Sequence, residues 1–239
     1  MFIELDTHFH SVASTHGYST VKEIAQSAAE KGLKGFALTD HGPASPDSPH
    51  VWHFRNLQVI PDYICGVRVI KGAEVNIIDY EGNIDMSDFD LKFVDWVVAS
   101  YHAPVIEPAE DCTEGYIKAI INNPCIDVIG HPGSRGFYFD TEKLVKTCKE
   151  YNKFIEINES AIMHKKDMDR ISYDLLNACK KHSVSVVVNS DGHYCDLVGD
   201  VSNSEKLITE LEFPVSLIAN ACAETIYEHI AKKRAGFNK

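Results

Sequence analysis

At 239 residues the chain is long enough for one large α/β barrel or two small domains, and its 44% hydrophobic content is that of a globular protein with a full core. Lysine and arginine number 23 against 35 aspartates and glutamates, a formal charge of −12, which argues against a processive nucleic-acid binder by repulsion from phosphates, though a metal pocket can still hold one locally. No run of about 18 apolar residues suggests a membrane span, no charged-then-apolar leader opens the chain, and seven scattered cysteines without a Cys-x-x-Cys pair read as reduced thiols of a cytoplasmic protein.

The chain shows no composition break, linker or repeat, so residues 1–239 are read as one domain. Its first apolar run, Met1–Leu5, leads into Asp6-Thr7-His8-Phe9-His10. Side chains alternate along a strand, so His8 and His10 project together with Asp6 one step below, placed to support a metal held by the two imidazoles. The same unit then recurs: a short β-rich run, a polar cluster, an amphipathic helix. The runs are Phe2–Asp6, Leu33–Thr39, Val67–Val75, Val94–Tyr101, Ile126–Gly130, Phe154–Asn158 and Val184–Asn189. Several are continuously apolar, as strands covered on both faces are.

Thr20 and Glu23 suit a capping box for a helix to Glu30 that Gly32 stops. Further helices are expected from Asp140 or Thr141 to Tyr151, from Asp167 to Lys181, from Ser204 to Leu211 and from Ala223 to Lys232. Gly42–His53, broken by Pro43, Pro46 and Pro49, reads as a long loop and a candidate lid. Tyr80-Glu81-Gly82-Asn83 reads as a hairpin turn projecting from the third unit. Alternating strands and helices require a parallel sheet. Seven such units predict an α/β fold, a distorted (β/α)7 barrel like an incomplete TIM barrel. An open doubly wound sheet is the alternative.

The ligand-type residues fall at the strand ends. His8 and His10 close the first run, Thr39-Asp40-His41 the second, Tyr101-His102 the fourth, Gly130-His131-Pro132 the fifth and Ser190-Asp191-Gly192-His193 the seventh. Glu74 lies within the otherwise apolar third run, where a buried unpaired carboxylate is costly. Only the sixth lacks a histidine and ends Glu156-Ile157-Asn158-Glu159. In a parallel barrel these ends share one rim, where barrel active sites lie. His16, in the first loop, is the one candidate off a strand end. The set is nitrogen and oxygen without thiolate, suiting Zn²⁺, Mn²⁺ or Fe²⁺, and is too large for one ion. Two or three ions fit, with Glu74 the natural bridge. Arg135, after His131, is a candidate phosphate grip, with Lys165 and Lys166 behind it. His53 and His164 are weaker substrate-side candidates.

These motifs resemble the polymerase-and-histidinol-phosphatase (PHP) superfamily. The length and the segments from Ser14 to Thr20 and from His50 to Phe54 resemble its stand-alone YcdX-type bacterial phosphatases. The resemblance covers nearly the whole chain. It implies a seven-stranded barrel with a three-metal site, usually zinc or zinc mixed with iron or manganese. It groups His8, His10, Glu74 and Asp191 on one ion, bridges Glu74 to a second held by His102 and His131, and assigns His16, His41 and His193 to the third. The function it implies is hydrolysis of a small phosphorylated metabolite, a phosphomonoester, by a metal-bound hydroxide. Glu74, His131, Asp191 and His193 carry the catalysis in that reading; a homo-oligomer is left open. Thr7, Gly17 and Gly192 depart from the family pattern, which bears on substrate fit and loop stiffness. The rivals are an amidohydrolase, a phosphodiester-cleaving nuclease and a non-enzymatic metal-binding module.

Overall fold

Burial decides where the first strand lies. The computed structural model describes residues 3–237, so Met1 and Phe2, the start of the expected first run, lie outside them. Strand β1 is Leu5–Phe9, further along than the apolar run. Asp6, Thr7 and His8 are all fully buried within it. Their polar atoms find partners across the barrel, so polarity does not end this strand as it would end one facing water.

The other strands are β2 (Gly35–Leu38), β3 (Tyr63–Ile64), β4 (Val67–Asn76), β5 (Trp96–Ser100), β6 (Val128–Ile129), β7 (Phe154–Asn158) and β8 (Val186–Asn189). They run in the order β1-β2-β4-β5-β6-β7-β8, all pairs parallel, with β3 alone antiparallel on β4. This is the expected distorted (β/α)7 barrel, and the open sheet is set aside. The turn at Tyr80–Asn83 forms, closed by an antiparallel bridge between Ile77 and Ile84, but it packs against the helix Thr113–Asn122 instead of projecting, with Asn123 Nδ2 donating to Gly82 O at 2.8 Å.

A seam remains where an eighth strand would stand. Between β1 and β8 the backbone bridge is Phe9 with Gly192, and side chains do the rest. The Asn220 amide donates to Leu5 O at 2.8 Å and Val188 O at 2.7 Å, and its Oδ1 accepts from Val188 N at 3.0 Å. Asn189 Oδ1 accepts from both the backbone N and the Oγ1 of Thr7 at 2.8 Å. Asparagine carries donor and acceptor on one planar amide, as a peptide unit does, and so substitutes for a missing rung.

The helices are α1 (Val21–Glu30), α2 (Trp52–Asn56), α3 (Asp88–Leu91), α4 (Thr113–Asn122), α5 (Thr141–Glu150), α6 (Glu159–His164), α7 (Met168–His182), α8 (Ser202–Glu210) and α9 (Ala223–Phe237). The Thr20–Glu23 capping box forms as expected, and Asp140 caps α5 through Lys143 N at 3.0 Å. Helices α2, α3, α4 and α6 were not anticipated, and α2 begins at Trp52, inside the segment Gly42–His53 read as a loop. The larger apolar core lies between sheet and helices. A second fills the barrel interior, where Leu5, Ile70, Trp96 and Val187 meet Ala223, Ile226 and Ile230 of α9. Helix α9 therefore plugs one end, and the rim at the other end is left for chemistry. Among the described residues no helix is long and apolar enough to cross a membrane.

Candidate metal centre

Glu74 is the hub of that rim. It is fully buried in β4, and its two oxygens face different partners. Oε2 lies 2.7 Å from His41 Nδ1, 3.5 Å from His8 Nε2 and 3.6 Å from His10 Nε2. Oε1 lies 2.9 Å from His131 Nε2 and 3.3 Å from His102 Nε2, and accepts from Ser100 Oγ at 2.7 Å. Burial alone would raise its pKa, but the rings of His102, His8 and His41 hold the carboxyl well below the usual range. Asp191 closes the circle, with Oδ1 3.1 Å from His10 Nε2 and 3.6 Å from His8 Nε2. His193 stacks on His10 and His16 with centroids 4.3 Å and 4.2 Å apart. All nine predicted residues therefore converge. His10 is within reach of two groups, one with His8 and Asp191 and one with His41 and His193.

The donor set fits divalent cations. Among the described residues seven buried side-chain atoms lack a hydrogen-bond partner: His41 Nδ1, Asp47 Oδ2, His53 Nε2, Glu74 Oε2, His131 Nδ1, Asp191 Oδ1 and His193 Nε2. All belong to this rim or to the loop beside it, and buried polar atoms are otherwise almost always satisfied. Burial together with His41 and His193 drives the His10 ring down to about 3. A neutral ring is a ligand; an imidazolium is not.

Second partners fix the rings. Glu156, in β7, sets its Oε1 2.7 Å from His8 Nδ1 and accepts from Asn189 Nδ2 at 2.8 Å. Its Oε2 accepts from His131 N at 2.7 Å and Asn158 Nδ2 at 2.9 Å. Asn76 Oδ1 lies 2.7 Å from His102 Nδ1. These contacts turn the Nε2 of His8 and His102 toward Glu74, the usual carboxylate–histidine or amide–histidine arrangement at a metal. The role expected for Asp6 passes to Glu156. Asp6 instead accepts from Ser190 N at 3.2 Å, Gly199 N at 2.8 Å and Ser190 Oγ, on the seam side of β1. Glu156 alternates with apolar neighbours as Glu74 does, and that signal could have found it. Asp40, 0% exposed, gathers the first loop by accepting from Ser11 N and Ser14 Oγ, both at 2.9 Å.

The loop from His131 to Arg135 is wound tightly, with His131 at φ 25°, Gly133 at φ 86° and Arg135 at φ 55°. Asp191 is also left-handed at φ 52°. Non-glycine residues in this region cost energy that functional sites tolerate. A cavity of about 280 Å³ opens over the rim, lined by His131, Asp191, His193, Arg135 and Lys165 among others. Burial and then the nearby Arg135 guanidinium hold the Lys165 amine below its ordinary value. Lys166 is exposed and lies outside that lining. His53 Nε2 faces Asp40 Oδ2 at 3.1 Å, not the cavity. His164 borders a second recess of about 240 Å³ with Met163 and Leu197, which meets the first at Ser160, Asp191 and His193.

The three departures each have a local cause. Thr7 secures the seam through its hydroxyl. A Cβ on Gly17 would come within 2.1 Å of Ser11 O, and one on Gly192 within 2.3 Å of the Phe9 ring. None of the three lines the cavity.

Residues 6–236 match the PHP domain family. The chain belongs to that family. Among PHP relatives, a "probable phosphatase" of Acetivibrio thermocellus is 42% identical over 232 residues, covering 96% of both chains. Another of Caldanaerobacter subterraneus subsp. tengcongensis is 41% identical, covering 96% of this chain and 92% of its own. The structure of histidinol phosphate phosphatase from Lactococcus lactis, complexed with zinc, L-histidinol and phosphate, superposes with a TM-score of 0.62. It shares 17% identity and covers 88% of this chain and 94% of that one, so the fold is shared. This PHP protein is a hydrolase of the phosphatase class, with His/Asp/Glu clusters suited to divalent metal.

Proposed function

We propose that the protein hydrolyses phosphomonoesters of small metabolites at a site for three divalent ions, zinc foremost, with manganese or iron acceptable to the same ligands. One observation carries this: the unpartnered buried atoms of His41, Glu74, His131, Asp191 and His193 gather at the rim, and all of these residues but Glu74 line one cavity with Arg135 and Lys165. When bound, such ions acidify water and shield phosphate charge near neutral pH. His8, His10, Glu74 and Asp191 would hold one ion; Glu74, His102 and His131 a second; His16, His41 and His193 the third.

The chain's own groups supply the rest. Arg135 and Lys165, which both line the cavity, would grip the phosphate oxygens. Glu156 and Asn76 keep His8 and His102 in the ligating orientation. Asp191 and His193 border both cavities, so the alcohol portion of the substrate extends past them toward Met163 and Leu197. Residues 1–239 act as one catalytic domain, and the seven unpaired cysteines suit a reducing, cytoplasmic setting.

The test pairs elemental analysis of protein purified without chelator with a phosphatase screen over a metabolite panel, including one phosphodiester. Turnover of a monoester is expected, with Glu74→Gln and His131→Ala losing most of it. Equal kcat in all three proteins with metals bound, or a preference for the diester, overturns this reading.

A further inference from the structure

The edge of the rim formed by His16 and His41 has another member. Asp47 lies between Pro46 and Ser48 in the loop that follows His41. Its Oδ2 is 2.5 Å from His16 Nδ1 and 3.9 Å from His41 Nε2. A carboxylate so close to an imidazole would normally accept a hydrogen bond. Oδ2 is buried, yet its approach to that ring does not meet hydrogen-bond geometry. One ligand atom from each of His16, His41 and Asp47 lies within 4.8 Å of the other two.

The position is built. Thr15 N, next to His16, donates to Asp47 O at 3.0 Å. The preceding stretch is pinned to the rim, where Ala44 N donates to Asp85 Oδ2 at 2.9 Å and Ser45 Oγ to Asn76 Oδ1 at 3.0 Å. Contacts that do not involve the Asp47 carboxylate thus hold this stretch beside the histidine pair.

We infer that Asp47 is an oxygen ligand, joining His16 and His41 on one divalent cation and strapping the Gly42–His53 loop to the rim. This rests on the reading that the rim binds metal, and it adds an anionic donor to an edge otherwise made of neutral imidazoles. A hard carboxylate beside imidazoles suits zinc, manganese and iron alike. His16, whose side chain is 52% exposed, gains a partner that makes binding there stronger than the imidazoles of His16, His41 and His193 would give alone.

The test is equilibrium dialysis of wild type, Asp47→Asn, Asp47→Ala and His16→Ala against graded Zn²⁺, read by elemental analysis. The visible spectrum of each Co²⁺-loaded protein is recorded beside it. Asp47→Asn should weaken one ion per chain by more than the about 10- to 100-fold that loss of an outer partner costs, spare the others and change the Co²⁺ bands. His16→Ala should weaken the same ion. Unaltered Zn²⁺ affinity in both Asp47 variants overturns the proposal. Weaker binding with unchanged Co²⁺ bands also overturns it, since Asp47 would then act through His16. Neither measurement uses phosphoester turnover. A protein that binds its ions and hydrolyses nothing defeats the proposed function alone, and one that binds no ion defeats both.

Discussion

Gly192 shows how one residue ties the site to the core. The Phe9 ring fills the space a Cβ would need, 2.3 Å away, and Leu197 Cβ stands at 3.0 Å. Gly192→Ser should therefore destabilise the protein by about 1–3 kcal/mol, the usual cost of overpacking. Phe9→Leu should recover part of that loss in the double variant, although alone it destabilises by leaving a cavity. Urea unfolding of the four proteins reads the coupling; strict additivity would show that the ring and the glycine are independent. Glu156 is a different case, a charge that never faces the substrate cavity. It holds His8 through Nδ1 and the His131 backbone through N–H. Glu156→Gln should retain the fold and lose about 10- to 100-fold in metal affinity. Metal content after dialysis against a weak chelator checks this, and retention equal to wild type would leave Glu156 a core residue only.

At the scale of elements, the alternation of β-rich runs and helical patterns made the barrel readable, and the phase of the histidines against strand ends made the rim readable. What stayed hidden depended on partners remote in sequence. The first strand was placed too early because Asp6 and Thr7 look like a polar stop, whereas Ser190, Gly199 and Asn189 satisfy them from the far end of the chain. Helix α4 lacked a cap signal, since Cys112 at its start makes no side-chain cap bond. Asp47 sits in a proline-broken loop with no periodicity to give it a direction. The seam was equally invisible, for nothing local marks Asn220 as the bridge between β1 and β8. Asn220→Ala strands Leu5 O, Val188 O and Val188 N together. Each buried group left unpaired costs about 1–3 kcal/mol, and the loss should be local first. Hydrogen exchange should quicken at β1 and β8 while β4 and β5 keep their protection. Uniform quickening would mean the seam has no separate opening.

Across the whole molecule, both ends of the barrel are organised by buried carboxylates, with opposite purposes. At the rim Glu74 and Asp191 gather histidine rings into clusters suited to a divalent metal. At the plugged end Asp127 accepts from Val97 N at 2.8 Å, sets its Oδ1 2.8 Å from His229 Nε2, and takes the Lys233 ammonium on Oδ2. Helix α9 delivers both partners. Burial pushes Asp127 up, but Lys233 and His229 prevail and hold its carboxyl below the ordinary range. A carboxylate depressed in the folded state contributes stability above its unfolded pKa, about 3.9. That contribution is lost as pH falls through the folded value. Asp127→Asn should therefore unfold more easily at pH 7, by about 1–3 kcal/mol. The gap from wild type should narrow steadily as the pH drops below about 3.9. Denaturant unfolding of both proteins in chelator, across that range, isolates the effect because the rim is then unchanged between them. A gap as wide at low pH as at neutrality would mean the charge of Asp127 does not hold α9 in place, and that apolar packing around Ile226 and Ile230 closes the barrel unaided.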